Sequence, residues 1–177
     1  MKEVLLKTGE TAVIRRPETA DAEAMVRYLN AVGGESDFLL FGENEFRLNA
    51  EQEQAYIEAI NQKPTSAMRL AVIDGEVAGI LVLNAPDRKR IAHTSDLSMS
   101  VAKKHWGKGV GAALLGEAIA FSRQTGVLKV IGLSVRADNH RARALYEKMG
   151  FRQIGCYPQN ICVEGRYYDL VLMNLYL

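Results

Sequence analysis

Trp106-Gly107-Lys108-Gly109-Val110-Gly111-Ala112 sits between a β-rich stretch and a helical one, and the fold turns on how it is read. Gly107, Gly109 and Gly111 alternate, which opens backbone conformations closed to other residues and removes Cβ atoms beside any bound group. A helix that begins at such a turn points unpaired N–H groups into it. Those donors and the positive end of the helix dipole make an anion site. Lys108 adds charge, and Lys103 and Lys104 lie close by. A phosphate or diphosphate is the natural guest. The segment lacks the Gly-x-x-x-x-Gly-Lys-Ser/Thr of a Walker A loop. It fits the dinucleotide form as Gly107-x-Gly109-x-x-Ala112, with Asp138 near the ~20-residue distance of a ribose-binding acid. That form points to a nicotinamide-dependent oxidoreductase. Such a fold needs several βαβ units after the glycines, whereas one remains here and a hairpin precedes them.

Working outward, residues 109–124 are helical, with Val110, Leu114, Ala118 and Phe121 on one face. Residues 129–135 are β-rich. Residues 139–149 are helical again, and Gly150 supplies a left-handed stop. The tail, 151–176, is strand-like, broken near Pro158 and turned at Glu164-Gly165. Toward the N-terminus, 91–101 is extended. Residues 69–73 and 77–83 flank Asp74-Gly75, the favoured two-residue hairpin turn. Residues 51–60 and the segment from Asp21 to the Gly33-Gly34 pair have helical spacing, and Thr11–Arg15 reads as a strand. The expectation is a single α/β domain over residues 1–177, with a central sheet that mixes parallel and antiparallel pairs and is flanked by helices.

The chain of 177 residues carries 22 Lys plus Arg against 21 Asp plus Glu, a formal charge of +1. That balance argues against bulk-charge binding to nucleic acid or to an anionic membrane. No apolar run approaches the ~20 residues of a spanning helix, and Met1 is followed by Lys2 and Glu3, unlike a signal peptide. Cys156 and Cys162 form neither a Cys-x-x-Cys motif nor a metal-ligand spacing, and His93, His105 and His140 are scattered. The expectation is a cytoplasmic protein with reduced thiols and no metal.

A second motif follows the glycine turn. Asn139-x-x-Ala142-x-x-Leu145-Tyr146-x-x-x-Gly150-Phe151 occupies a whole helix, with Asp138 or Asn139 placed to cap it and Tyr146 two turns on. The two motifs, in this order and spacing, resemble the GNAT superfamily of acyl-CoA-dependent N-acyltransferases. The resemblance implies two neighbouring parallel strands, here 91–101 and 129–135, splayed to seat acetyl-CoA. It implies pantetheine against the backbone of Met99, Ser100 and Val101, and diphosphate on the N–H groups of Gly107, Lys108, Gly109, Val110, Gly111 and Ala112. It further implies that Asn139 binds or orders the pantetheine and that Tyr146 protonates the departing thiolate. A phenol with pKa near ~10 is protonated at neutral pH and suits that task. One departure stands out: the family's usual Arg or Gln at the first motif position is Trp106 here, so any side-chain phosphate contact from that position is lost.

An amine must be neutral to attack a thioester. Neither 91–101 nor 129–135 contains a Glu, and Asp96 is the one carboxylate in either. Strand alternation puts Ala92, Thr94, Asp96, Ser98 and Ser100 on one face and His93, Leu97, Met99 and Val101 on the other. Asp96 is thus the candidate base, with His93 as the alternative. An α-amine with pKa near ~7.7–8.0 is about a quarter neutral at physiological pH, against about a thousandth for a lysine-type amine. Without an obvious base, an α-amine or another weakly basic amine is easier to accommodate. Acceptor choice is expected from residues 33–48, which carry Glu35, Asp37, Glu43 and Glu45, and from the last hairpin. Gly165-Arg166-Tyr167-Tyr168-Asp169 with Met173 resembles the tails of bacterial members labelled ribosomal-protein, polyamine or amino-acid acetyltransferases. An exposed tail strand could pair two subunits as a homodimer. The non-enzyme rival is a CoA-sensing module without a competent base.

Overall fold

A computed structural model describes residues 1–177. Its centre is one eight-stranded sheet in the order β1-β2-β3-β4-β5-β6-β8-β7, where β1 is Lys2–Leu5, β2 Thr11–Arg15, β3 Ala67–Ile73, β4 Glu76–Asn84, β5 Thr94–Val101, β6 Val130–Arg136, β7 Arg152–Val163 and β8 Arg166–Tyr176. Helices α1 (Ala22–Gly33) and α2 (Ala50–Gln62) separate β2 from β3, α3 (Val110–Gln124) joins β5 to β6, and α4 (His140–Lys148) leads into β7. The mixed sheet flanked by helices is the architecture expected from the sequence.

Local chemistry accounts for most boundaries. Asn49 caps α2 by accepting from Gln52 N–H, and the Gln52 side chain returns the bond. Asp74 and Gly75 have φ of 50° and 80°, both left-handed, as a type I′ turn requires. Glu164 and Gly165 repeat the pattern at 49° and 76°. Gly33 ends α1 because the chain returns there: a Cβ on it would lie 2.2 Å from the Gly42 carbonyl oxygen.

Three points differ from the sequence expectation. β1, short and mostly exposed at the sheet edge, has no apolar alternation to announce it and forms by pairing with β2. The extended stretch 91–101 is a strand only from Thr94; His93 lies in the preceding turn, where its carbonyl accepts from Lys129 and Val130. The break near Pro158 is a register shift between Tyr157 and Ile161 inside a continuous β7.

All neighbouring strands are antiparallel except β5 and β6, which pair over Thr94↔Val130, Ser95↔Ile131 and Asp96↔Gly132 and then part. The sheet buries both faces. α3 and α4 cover Leu81, Leu83, Leu97, Ile131, Leu133 and Met173, while α1 and α2 cover Met68, Leu70 and Ile80. Leu114 and Leu115 of α3 are fully buried, and truncating either to Ala costs ~2–5 kcal/mol.

Candidate active site

The glycine turn enters α3 as the sequence requires. Gly107 and Gly109 have φ of 76° and 108°, conformations that L side chains rarely adopt. The main-chain N–H groups of Gly107 through Ala112 meet no acceptor in the chain; the ladder resumes with Ala113 N–H donating to the Gly109 carbonyl at 3.0 Å. A contiguous run of free donors thus opens at the positive end of a fifteen-residue helix. Gly111 matters for a different reason: a Cβ there would meet Leu145 at 3.2 Å, Met99 at 3.5 Å and Val101 at 3.8 Å, so its lack of a side chain lets α3, α4 and β5 converge.

The surroundings brace this turn. The Lys108 ammonium binds both carboxylate oxygens of Glu10, at 2.9 and 3.2 Å, and the Lys108 carbonyl accepts from Lys7 N–H at 3.0 Å. The β1–β2 turn therefore clamps the loop, and the Lys108 charge is engaged from that side. Hydrogen bonds from Thr8 and then Lys108 hold the Glu10 carboxyl below its usual range. Burial, then the charges of Lys108 and Lys104, push the His105 imidazole down. Trp106 donates its indole N–H to the Val101 carbonyl at 2.6 Å, which occupies that end of β5. The Arg141 guanidinium of α4 lies 5.0 Å from the centre of the Trp106 ring, so a cation stands beside the turn where the motif lacks one.

Asn139 caps α4: its side-chain oxygen accepts from Ala142 N–H at 3.2 Å. Tyr146, 6% exposed, packs its ring against Phe151 at 5.8 Å. Its hydroxyl has no partner in the chain and is not sealed from solvent. Burial pushes the phenol up to about 12.

On β5 the expected alternation holds from Thr94 onward. Leu97 is buried under α3 and α4 with Met99 and Val101 beside it, whereas Asp96 and Ser98 are exposed on the opposite face. Ser100 on that face accepts from the Tyr28 hydroxyl at 3.1 Å. Asp96 lies where β5 and β6 part, in a cross-strand row of Asn84, Asp96, Gly132 and Asn174. Gly132 leaves a notch in that row, and the Asn174 side-chain oxygen lies 3.3 Å from where its Cβ would be. Partial desolvation by the surrounding strands pushes the Asp96 carboxyl up from its ordinary range, although the residue keeps contact with solvent. His93 is exposed in its turn and lies outside this row.

The loop after α1 forms one wall of a cleft of about 440 Å³, with Asp37, Leu39, Phe41 and Glu45 on one side and Ile161 and Glu164 of the last hairpin on the other. Two of its acids build local structure: Glu35 accepts from Lys103 N–H at 2.6 Å and Glu45 from Gly42 N–H at 2.7 Å. Beneath the cleft is Arg136, which sequence reading passed over. It forms a bidentate pair with Asp138, bonds the Asp37 carbonyl and stacks on Tyr168 and Phe38. Asp138, the ribose acid of the dinucleotide form, is committed to this pair.

The model of the acetyltransferase (GNAT) family matches residues 37–151. The chain is 29% identical over 161 residues to the L-amino acid N-acetyltransferase AaaT of Escherichia coli (strain K12), covering 91% of this chain and 95% of that one. It is 28% identical over 125 residues to the spermidine N(1)-acetyltransferase of Vibrio cholerae, covering 71% of each. Among solved structures, a GNAT-family acetyltransferase from Streptococcus pneumoniae superposes with a TM-score of 0.91 at 31% identity, covering 94% of this chain and 99% of that one. The yncA structure from Salmonella typhimurium, which contains its cofactor acetyl-CoA, superposes with a TM-score of 0.81 at 23% identity over 93% of each chain. The chain belongs to the GNAT family of acetyltransferases. It is an acetyl-CoA-dependent N-acetyltransferase, and the oxidoreductase reading finds no support.

Proposed function

We propose that this enzyme seats the acetyl-CoA diphosphate on the N–H groups of residues 107–112 and passes the acetyl group directly to a primary amine bound on the Asp96 face. The free donor run at the start of α3, beside strands that part after Asp96, is the observation that carries this reading. Pantetheine runs along β5 in the gap, where backbone groups of residues 97–101 that face away from β4 lack a strand partner. Because the Val101 carbonyl already accepts from Trp106 and the Ser100 backbone is turned toward Ile80 of β4, Met99 supplies the pairing and the N–H that polarises the thioester carbonyl. Asn139 orders the pantetheine wall through its cap on α4.

In the ternary complex, Asp96 takes a proton from the incoming ammonium. The neutral nitrogen attacks the carbonyl carbon, a tetrahedral centre forms, and the C–S bond breaks. Tyr146 donates a hydrogen bond to the departing sulfur. A phenol near 12 facing a thiol near ~8.5 transfers its proton uphill, so the phenol stabilises the sulfur and the second amine proton ends on the thiol. Orientation of the two substrates side by side supplies much of the remaining acceleration.

The acceptor class is an α-amine of the amino-acid type. The E. coli relative, named for L-amino acids, matches nearly the whole chain, and an exposed carboxylate is a weak base that serves such an amine better than a lysine-type one. Calorimetry with acetyl-CoA, followed by thiol release with the twenty L-amino acids and spermidine, tests the proposal. Tight acetyl-CoA binding with no thiol release from any amine would favour a sensor instead. Exposed, unpaired Cys156 and Cys162 support a reducing, cytoplasmic setting. The outer edge of β7 supports a homodimer, which light scattering would detect.

A further inference from the structure

Arg136 ends β6 on the face that carries Gly132 and Ser134, past the point where β5 and β6 stop pairing. It is 5% exposed. A buried guanidinium is costly unless its charge and its donors are all answered. Here Nε and Nη2 donate to Asp138 Oδ1 and Oδ2 at 2.9 and 2.6 Å, and Nη1 donates to the Asp37 carbonyl at 2.8 Å. The Tyr168 ring centre lies 3.8 Å from the guanidinium carbon and that of Phe38 4.9 Å. Of these partners Asp37 lines the 440 Å³ cleft, and Phe38 and Tyr168 adjoin residues that line its two walls. Asp37 and Phe38 are in the loop after α1. Tyr168 is the strand partner of Ile161, which lines the other wall. With three of its five N–H groups bonded and aromatic rings stacked on it, the buried Arg136 braces the chain around it. Lysine is no substitute, because an ammonium lacks the planar fork and the stacking face.

We propose that Arg136 is a positioning residue that ties the two walls of the acceptor cleft together and thereby sets which amines fit. This rests on the reading that residues 33–48 and the last hairpin, which line the cleft, choose the acceptor. The step it controls is binding of the amine, not acetyl-CoA binding and not the chemistry.

The test compares Arg136→Lys, Arg136→Met and Phe38→Ala with the wild type, using the twenty L-amino acids and spermidine at saturating acetyl-CoA. For the best acceptor, the amine KM rises about tenfold in both Arg136 variants, while kcat and the acetyl-CoA KM stay within about threefold. The acceptor profile broadens, and Lys does not rescue it. Phe38→Ala leaves the Arg136–Asp138 pair intact and gives a smaller shift in the same direction. Backbone hydrogen exchange of residues 35–45 accelerates in every variant. Equal rises in both KM values, an unchanged acceptor profile or rescue by Lys overturns the proposal. Should the Arg136 variants fail to fold, Phe38→Ala decides alone. Should the wild type turn over no amine, the acceptor reading fails, and unchanged exchange of residues 35–45 still overturns the wall-tying role.

Discussion

The donor and acceptor sides of this enzyme are built from different material. The proposed donor side rests on main-chain N–H groups of one short turn, with glycines making the turn possible. The proposed acceptor side draws on distant segments: Phe38 and the Asp37 carbonyl in the loop after α1, Asp96 and Arg136 on the parting strands, and Tyr168 on β8. Main-chain amides are indifferent to side-chain drift, so a diphosphate grip of this kind persists while sequence changes around it. A cleft made of side chains and one loop changes with each substitution. On this reading acetyl-CoA recognition tolerates side-chain substitution better than amine recognition does.

Two substitutions on the donor side should break this contrast most visibly. Tyr146→Phe removes a hydroxyl that bonds nothing in the chain, so folding stability is kept while kcat falls about 100-fold, the lower range for a positioned hydrogen-bond donor to developing charge. Steady-state kinetics beside thermal unfolding checks this; an undiminished kcat would reduce Tyr146 to a packing residue. Gly109→Val forces a β-branched side chain onto φ of 108°, at a strain of about 1–3 kcal/mol. The turn relaxes and its donors diverge, so the acetyl-CoA KM rises by about 30-fold, while the acceptor profile across an amine panel keeps its shape. A change in that profile would mean the two sides are not separate.

The same contrast explains what was legible in the sequence. The glycine turn, the Asn139 cap and the two hairpin turns are local, each decided by residues a few positions apart. Alternation along β5 survived because one face is buried. What escaped was set across the chain. Arg136 meets the Asp37 carbonyl 99 positions away, and Lys108 meets Glu10 98 positions away. Nothing near either residue announces its partner. The edge strand β1 and the turn ahead of Thr94 escaped for a related reason: pairing and chain return, not periodicity, decide them.

Asp96→Asn tests the acceptor side with a smaller effect. Turnover of an α-amine falls about tenfold, and the acid limb of the pH–rate profile moves to the titration of the amine itself. Stability moves the other way. The Asp96 carboxyl is raised in the folded state, so the unfolded chain ionises first as pH rises, and the folded state loses stability from the ordinary carboxylate range up to the raised value. The variant is therefore more heat-stable than wild type at pH 7, and the difference shrinks as pH falls through that window. A faster, less stable variant would remove Asp96 from both roles.

The smallest effect sharpens the comparison most, because it asks whether a side chain contributes to the donor grip at all. Read along the sequence, the Lys108 charge belongs to the diphosphate. In the fold, both Glu10 oxygens hold its ammonium, while the N–H of Lys108 stays free in the turn. Lys108→Met keeps the N–H and removes the charge. If main-chain donors make the grip, the acetyl-CoA KM rises by about threefold or less, and Glu10→Gln, which releases the ammonium, lowers it or leaves it alone. Calorimetry of acetyl-CoA binding at two ionic strengths measures both. A tenfold loss in Lys108→Met with a steeper salt dependence in wild type would mean that the ammonium leaves Glu10 for the phosphates when acetyl-CoA binds, and that the donor side is, like the acceptor side, built partly from side chains.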